Sequence, residues 1–147
     1  MQLTKTWIHA VWSTKDFAPL LSDTVRTELF LYLKEVVSGK FFTIDCINGT
    51  SDHIHCLALL PPETSVAKLI FVLREQSRDY INKNKLSAEV ISWNDDYVAV
   101  SVSESLVEKT RDYIMTQNEI HNSKSFLNEL NEFIDRFKFN NQNTANK

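Results

Sequence analysis

Thr43-Ile44-Asp45-Cys46-Ile47-Asn48-Gly49-Thr50-Ser51-Asp52-His53-Ile54-His55-Cys56-Leu57-Ala58-Leu59-Leu60 reads as extended chain with one interruption, at Asn48-Gly49-Thr50-Ser51-Asp52. Asn and Gly both accept the positive φ of tight hairpin turns, so Asn48-Gly49 marks a turn. Thr43–Ile47 and His53–Leu60 are then the arms of an antiparallel hairpin. Strand side chains alternate faces, which sends His53 and His55 to one side and Ile54 and Cys56 to the other. Two imidazoles about 7 Å apart along one strand can hold a single divalent metal. A pattern this short also fits two polar residues on a solvated sheet face, so its meaning depends on what converges on it.

Upstream, Leu3 to Ser13 is rich in β-branched and aromatic residues (Thr4, Thr6, Trp7, Ile8, Val11, Trp12) and reads as a strand. Lys15-Asp16-Phe17-Ala18-Pro19 is a loop, and Ser22 or Asp23 caps a helix. Val25, Leu29, Leu33 and Val36 keep helical spacing in it up to Gly39, a helix stop. Downstream, Pro61-Pro62 ends the hairpin and Ser65 caps a second helix. Val66, Leu69, Ile70, Leu73 and Ser77 form its inward face, with Ile81 near the end at Lys83-Asn84-Lys85. Trp93 to Val102 is a strand, and Tyr97, Ala99 and Val100 suggest a sheet edge or second hairpin. Ser103 to Asn118 is a third helix with Ser105-x-x-Glu108 as a capping box. A last amphipathic segment carries Phe126, Leu130, Phe133, Ile134 and Phe137 at helical spacing, and the Asn-rich stretch from Asn140 is expected to be disordered.

The order β-α-β-β-α-β with trailing helices predicts an α+β, ferredoxin-like (split βαβ) fold. Its four-stranded antiparallel sheet carries two main helices on one face, leaving the other for a ligand, a partner or an extra C-terminal helix bearing Tyr113. The expected organisation is one domain over residues 1–138 and a disordered tail over 139–147.

A chain of 147 residues with 43% hydrophobic and 24% charged side chains supports one globular core. Two glycines and three prolines leave little room for Gly-rich phosphate loops. No apolar run reaches membrane-spanning length, and Met1-Gln2-Leu3-Thr4-Lys5 does not open a signal peptide, so the expected location is the cytoplasm. Cys46 and Cys56 are then small core thiols rather than a disulfide framework. Cys56 also has the wrong strand parity to join the histidines. A formal charge of -3 counts against a nucleic-acid partner, although local distribution matters more than the sum. From Ser65 to Lys85, the basic residues Lys68, Arg74, Arg78, Lys83 and Lys85 face the acidic Glu75 and Asp79. That modest excess is explained, on charge alone, by a solvated helix face.

The second informative stretch is Lys109-Thr110-Arg111-Asp112-Tyr113-Ile114-Met115-Thr116-Gln117-Asn118-Glu119-Ile120-His121. Tyr113 and Gln117 are four apart and lie one turn above another on a shared face. Val107 and Ile114 lie on the neighbouring, core-facing stripe. Taken alone, such a tyrosine is ordinarily half-buried core and such a glutamine ordinarily solvated.

Together, Asp52-His53-Ile54-His55 on a strand and Tyr113-Ile114-x-x-Gln117 on a later helix resemble the single-tyrosine transposases of the IS200/IS605 type. These belong, with the rolling-circle replication initiators, to the nucleases built on a His-hydrophobic-His motif. Trp7-Ile8-His9-Ala10-Val11-Trp12-Ser13-Thr14-Lys15 resembles the family's first strand and following loop. Leu69 to Asn82, with Arg74 and Ser77, is similar to its second helix. Tyr97-Val98-Ala99-Val100-Ser101-Val102-Ser103 is similar to the strand leading into the tyrosine helix, and Asn118 to His121 with Ser125-Phe126 extends the likeness. It runs from about Lys5 to Lys138.

The resemblance implies that His53 and His55 bind Mg²⁺ or Mn²⁺ and that Gln117 supplies a third, oxygen ligand. It implies that Tyr113 attacks a phosphodiester of single-stranded DNA, giving a 5′-phosphotyrosyl enzyme and a free 3′-hydroxyl. It further implies recognition of hairpins at element ends, and a homodimer with joined sheets in which one subunit's tyrosine helix can serve the partner's histidines. Lys15, Lys68, Arg74 and Arg78 are the candidate DNA contacts. Tyrosine ionises near pH 10, so only about one part in a thousand is phenolate at pH 7; Lys109 or the metal would assist. The chain departs from the pattern after the first strand, where many relatives carry an arginine and Asp16-Phe17-Ala18 follows Thr14-Lys15 here. The alternatives are a domesticated or inactive DNA-hairpin binder of the same fold, and a histidine-triad nucleotide hydrolase. The hydrolase needs a third alternating histidine, where Leu57 stands.

Overall fold

The computed structural model describes residue 1, residues 3–117 and residues 126–137; the expectations for 118–125 and for the tail over 139–147 lie outside the described residues. In chain order the elements are β1 (Thr6–Thr14), α1 (Asp23–Tyr32), β2 (Thr43–Gly49), β3 (His53–Leu60), α2 (Val66–Lys83), β4 (Trp93–Val102), α3 (Val107–Met115) and α4 (Phe126–Phe137). The four strands form one antiparallel sheet in the order β2-β3-β1-β4. This is the split βαβ arrangement that the sequence predicts, with β4 on an edge.

The sheet separates two apolar layers. On one face Ile8, Trp12, Ile44, Ile47, Ile54, Cys56 and Ala58 pack against Val25, Leu29, Leu69, Leu73 and Ile81 of α1 and α2. On the other face Trp7, Cys46 and Leu57 pack against Val107 and Ile114 of α3. A bulge between Ile44 and Cys46 makes this division possible in β2. The extra residue puts Ile44 and Ile47 on the same side, whereas unbroken alternation would oppose them. Both cysteines are buried thiols, one in each layer.

Local signals explain the helix ends. Ser22 caps α1 by accepting the Val25 N–H at 3.3 Å, and Ser65 caps α2 by accepting that of Lys68 at 3.0 Å. A π-helical turn, Leu33–Val37, continues α1. Its wider winding moves burial from the expected Val36, which is 43% exposed, to Val37, which is 2% exposed. The chain then turns at Gly39, whose φ of +92° suits a residue without a side chain.

Three boundaries differ from the sequence reading. The first strand begins at Thr6 rather than Leu3. The hairpin turn falls at Thr50-Ser51-Asp52, because β2 runs on through Gly49 and pairs it with Ile54. Glycine is required there for close approach: a Cβ on Gly49 would lie 2.3 Å from the His53 carbonyl oxygen. The Ser105-x-x-Glu108 capping box does not form, since Glu104–Leu106 makes a 3₁₀ turn and α3 starts at Val107 without a side-chain cap. Glu104 instead accepts the Trp7 indole N–H at 2.6 Å and pairs with Lys5 at 2.8 Å.

Helix α3 is fixed over β2 by two polar contacts besides its apolar face. Arg111 makes a bidentate pair with Asp45, both bonds at 2.9 Å, and the Asn48 side-chain amide donates to the Ile114 carbonyl at 2.9 Å. Among the described residues no helix is long and apolar enough to cross a membrane.

Ile114 is fully buried at the centre of this contact. Ile114→Ala is therefore expected to lower unfolding free energy by about 2–4 kcal/mol through loss of apolar contact and creation of a cavity. Met115→Ala, on the exposed side of the same turn, should change it by less than about 0.5 kcal/mol. Urea denaturation of the two variants checks the difference.

Candidate active site

The register of β1 against β3 puts Ser13 opposite His53, Val11 opposite His55 and His9 opposite Leu57, so all six share the face away from α1 and α2. His53 and His55 are fully buried, with ring centroids 5.1 Å apart. Each ring is anchored through Nδ1. That of His53 lies 2.7 Å from Asp52 Oδ1 and 2.8 Å from Thr50 Oγ1, in the turn immediately before the strand. That of His55 lies 2.9 Å from His9 Nε2, contributed by β1. With both Nδ1 atoms occupied at the periphery, both Nε2 atoms face a common point.

A carboxylate fills that point. Glu129 of α4 places Oε1 3.3 Å from His55 Nε2 and Oε2 3.5 Å from His53 Nε2, and is itself 2% exposed. Aromatic packing holds the helix in place. Phe126 stacks on His53 with centroids 3.9 Å apart and meets Phe17 edge-on, while Phe133 meets His9 edge-on at 5.5 Å. The amphipathic stripe expected on this segment is thus real, and Glu129 sits inside it, three residues after Phe126 and four before Phe133.

Tyr113, from α3, completes the cluster. Its hydroxyl donates to Glu129 Oε1, and its ring lies edge-on to His55 with centroids 5.7 Å apart. The nucleophile candidate and both histidines therefore meet within one chain. Gln117 is fully buried one turn further on, its side-chain amide 3.3 Å from the Tyr113 carbonyl.

The electrostatics follow from this packing. Burial pushes the Glu129 carboxyl up, but hydrogen bonds from His53 and His55 outweigh it and hold the group far below the usual carboxylate range. Burial likewise opposes charge on His53, yet the bonds to Asp52 and Glu129 win and raise its pKa above the ordinary 6.5. Tyr113 is driven well above 10 by burial and then by the adjoining carboxylate, with a bond from Gln117 working the other way. Burial, reinforced by His55, lowers His9 to about 3.

The ligand atoms of His53, His55 and Glu129 all lie within 4.8 Å of one another and all three residues are buried. Two imidazole nitrogens and one carboxylate oxygen form a donor set suited to a divalent cation. The site therefore fits the metal that the sequence suggests, with a carboxylate ligand that it did not.

The family model described as IS200-like transposase matches residues 2–117. The chain belongs to that family. No curated protein matches it. Among solved structures, a candidate transposase from Deinococcus radiodurans R1 is similar at a TM-score of 0.61 and 20% identity, over 79% of this chain and 93% of that one. The REP-associated tyrosine transposase, solved bound to a REP hairpin, is similar at a TM-score of 0.54 and 16% identity, over 84% of this chain and 72% of that one. At these identities both likenesses are of fold.

The IS200-like fold does not bring the candidate DNA contacts to the histidines. Lys68 and Arg78 are exposed on α2, across the sheet. Lys68 lies over Phe41 and Phe71, and Arg78 pairs with Asp79. Arg74 donates to the Asn94 and Asp95 carbonyls at 2.6 and 3.3 Å, an anchor for β4. Lys15 is exposed in the 3₁₀ turn just past β1, toward the His53 end of the sheet. Beside Tyr113, a cavity of about 220 Å³ is lined by residues including Lys109, Arg136 and Phe137.

Sequence reasoning missed two members of the site, Glu129 and His9. A carboxylate inside an apolar stripe was the available signal for the first. His9 shares strand parity with Val11 and Ser13, but only the pairing register places it beside His55.

Burial of His9 makes a pH prediction. As pH falls from 6.5 towards 3, the folded ring stays neutral while the unfolded one takes a proton, so stability declines with acid. This group contributes a slope of up to about 1.4 kcal/mol per pH unit. His9→Gln should flatten that limb in urea midpoints measured across the range; matching slopes would show that other groups cause the decline.

Proposed function

We propose that the chain is a metal-dependent transposase, a single-stranded DNA endonuclease and strand transferase that uses Tyr113 as nucleophile. The observation that carries this reading is the convergence of the Tyr113 hydroxyl and the two histidine Nε2 atoms on one buried carboxylate. Tyr113 Oη attacks the phosphorus of a phosphodiester, forming the Tyr O–P bond and breaking the P–O3′ bond. The phenolic proton departs and the 3′ oxygen gains one, leaving a 5′-phosphotyrosyl enzyme and a 3′-hydroxyl. Because the phosphotyrosyl bond keeps the energy of the one broken, a second 3′-hydroxyl can reverse the step and join strands.

His53 and His55 would hold Mg²⁺ or Mn²⁺ with Glu129, and Gln117 is the further oxygen ligand that the sequence pattern suggests. When bound, the cation withdraws charge from the phosphate and offsets the field that Glu129 places on the phenol. The chain's own groups fix the geometry: Asp52 and Thr50 orient His53, and α3 is pinned to β2 so that Tyr113 stands over the pair. Hairpin DNA at element ends is the proposed substrate, in line with the hairpin on which one solved structure of this fold was captured. Lys15, Lys68, Arg74 and Arg78 are proposed to meet its phosphates. A homodimer, in the cytoplasm, would form by joining sheets through an outer edge, β2 or β4, the two strands with one neighbour each.

A second reading, a hairpin binder that keeps the fold without cleaving, is favoured by one observation: Tyr113 is held as a phenol by Glu129. An assay of hairpin-bearing single-stranded DNA with Mn²⁺ separates the two. Wild type should form a covalent adduct on a denaturing gel, and Tyr113→Phe should abolish it while binding changes less than about twofold. Binding without any wild-type adduct would instead favour the inactive reading. His55→Ala should reduce Mn²⁺-dependent cleavage at least about 100-fold with a folded circular-dichroism spectrum; a collapsed protein would make His55 a structural residue.

A further inference from the structure

We infer that His9 is a positioning residue that, once a cation takes the place of the Glu129 contact at His55 Nε2, holds His55 in the tautomer presenting a lone pair there. The inference rests on the metal-site reading above and adds a role for His9 that the His53-Ile54-His55 motif does not carry.

A histidine nitrogen that ligates a cation must be unprotonated, and the neutral ring then carries its hydrogen on the other nitrogen. In His55 the inward atom is Nε2, 3.3 Å from Glu129, so ligation through it places the hydrogen on Nδ1. That Nδ1 is 2.9 Å from His9 Nε2, with His55 fully buried and His9 4% exposed. A buried N–H needs an acceptor, and two N–H groups cannot point at each other across 2.9 Å. In the cation-loaded site His9 Nε2 therefore accepts, and His9 keeps its own hydrogen on Nδ1.

Three further features make the contact a built one. His9 lies on β1, which is paired on both sides, with Leu57 across from it on β3 and Val100 on β4. Phe133 and Tyr113 then pack edge-on against its ring at 5.5 and 6.1 Å, which limits its rotation. His53 has a separate anchor in Asp52 and Thr50, so His9 serves His55 specifically. A neutral acceptor also avoids a second anion beside Glu129. Such partners behind a ligand fix its orientation and basicity, and their loss typically weakens metal affinity about 10–100-fold.

The test uses the full chain and Mn²⁺ alone, titrated by calorimetry. His9→Leu, which keeps bulk but cannot accept, should weaken Mn²⁺ binding about 10–100-fold. His9→Gln, whose amide oxygen can accept from Nδ1, should recover most of the loss. Long-range ¹H–¹⁵N spectra of wild type loaded with diamagnetic Zn²⁺ should show His55 protonated on Nδ1 and His9 unprotonated on Nε2. That measurement stands even if His9→Leu does not fold. Wild-type affinity in both variants, or a Zn²⁺-loaded His9 protonated on Nε2, would overturn the role of His9 while leaving the metal site in place. A wild type that takes up no Mn²⁺ would overturn the metal reading and this inference together.

Discussion

A carboxylate shut away from water must be matched by partners, and Glu129 is matched by two imidazoles and a phenol. This one requirement draws the consecutive helices α3 and α4 onto β3, which lies far earlier in the sequence. It also sets the resting protonation of the site. His53 leans toward its charged form, Glu129 stays ionised and Tyr113 stays a phenol. In this arrangement the phenol keeps its proton, because burial and the adjoining carboxylate both disfavour phenolate. Under the proposed mechanism, chemistry at Tyr113 would depend on exchanging that contact, either for positive charge at the carboxylate or for DNA at the phenol.

The sheet supports this by keeping two unlike faces apart. Toward α1 and α2 it is continuously apolar, and stability resides there. Toward α3 and α4 the apolar cluster of Trp7, Leu57 and Ile114 gives way along β3 to His55 and His53. A single-residue slip between β1 and β3 would reverse every side chain and bury the histidines among the leucines of α2. The bulge in β2 has a related effect, because it leaves Cys46 and Asn48 facing α3 while Ile44 and Ile47 stay in the main core. Asn48 then ties the end of α3 beside the histidines.

Much that rests on local chemistry was legible in the sequence, the Ser105-x-x-Glu108 box being an exception. Ser22 and Ser65 cap the helices, Gly39 ends one, and alternation along β3 puts His53 and His55 side by side. The four-residue step from Tyr113 to Gln117 likewise follows from helical geometry alone. Long-range pairing decided the rest. Gly49 reads as a turn residue, yet it continues the strand because its missing side chain admits the His53 carbonyl. Val36 and Val37 exchange places through a π turn that no spacing rule announces. His9 becomes part of the site only through the β1–β3 register, and Glu129 only when α4 docks across the sheet.

Charge distribution constrains how DNA would approach. The chain is acidic overall, and the site adds Asp52 and Glu129 to the repulsion met by a phosphate. The basic residues of α2 lie across the sheet from the site, and the Arg74 guanidinium is engaged with backbone carbonyls. Lys109 and Arg136 line the cavity beside Tyr113, although Glu132 lines it as well. Among the described residues the face bearing Tyr113 offers few unopposed cations, so long-range attraction of a phosphate to it is weak. If the proposed function holds, selectivity would come from the shape of the nucleic acid and from its contacts at close range, which suits a structured hairpin better than an arbitrary single strand.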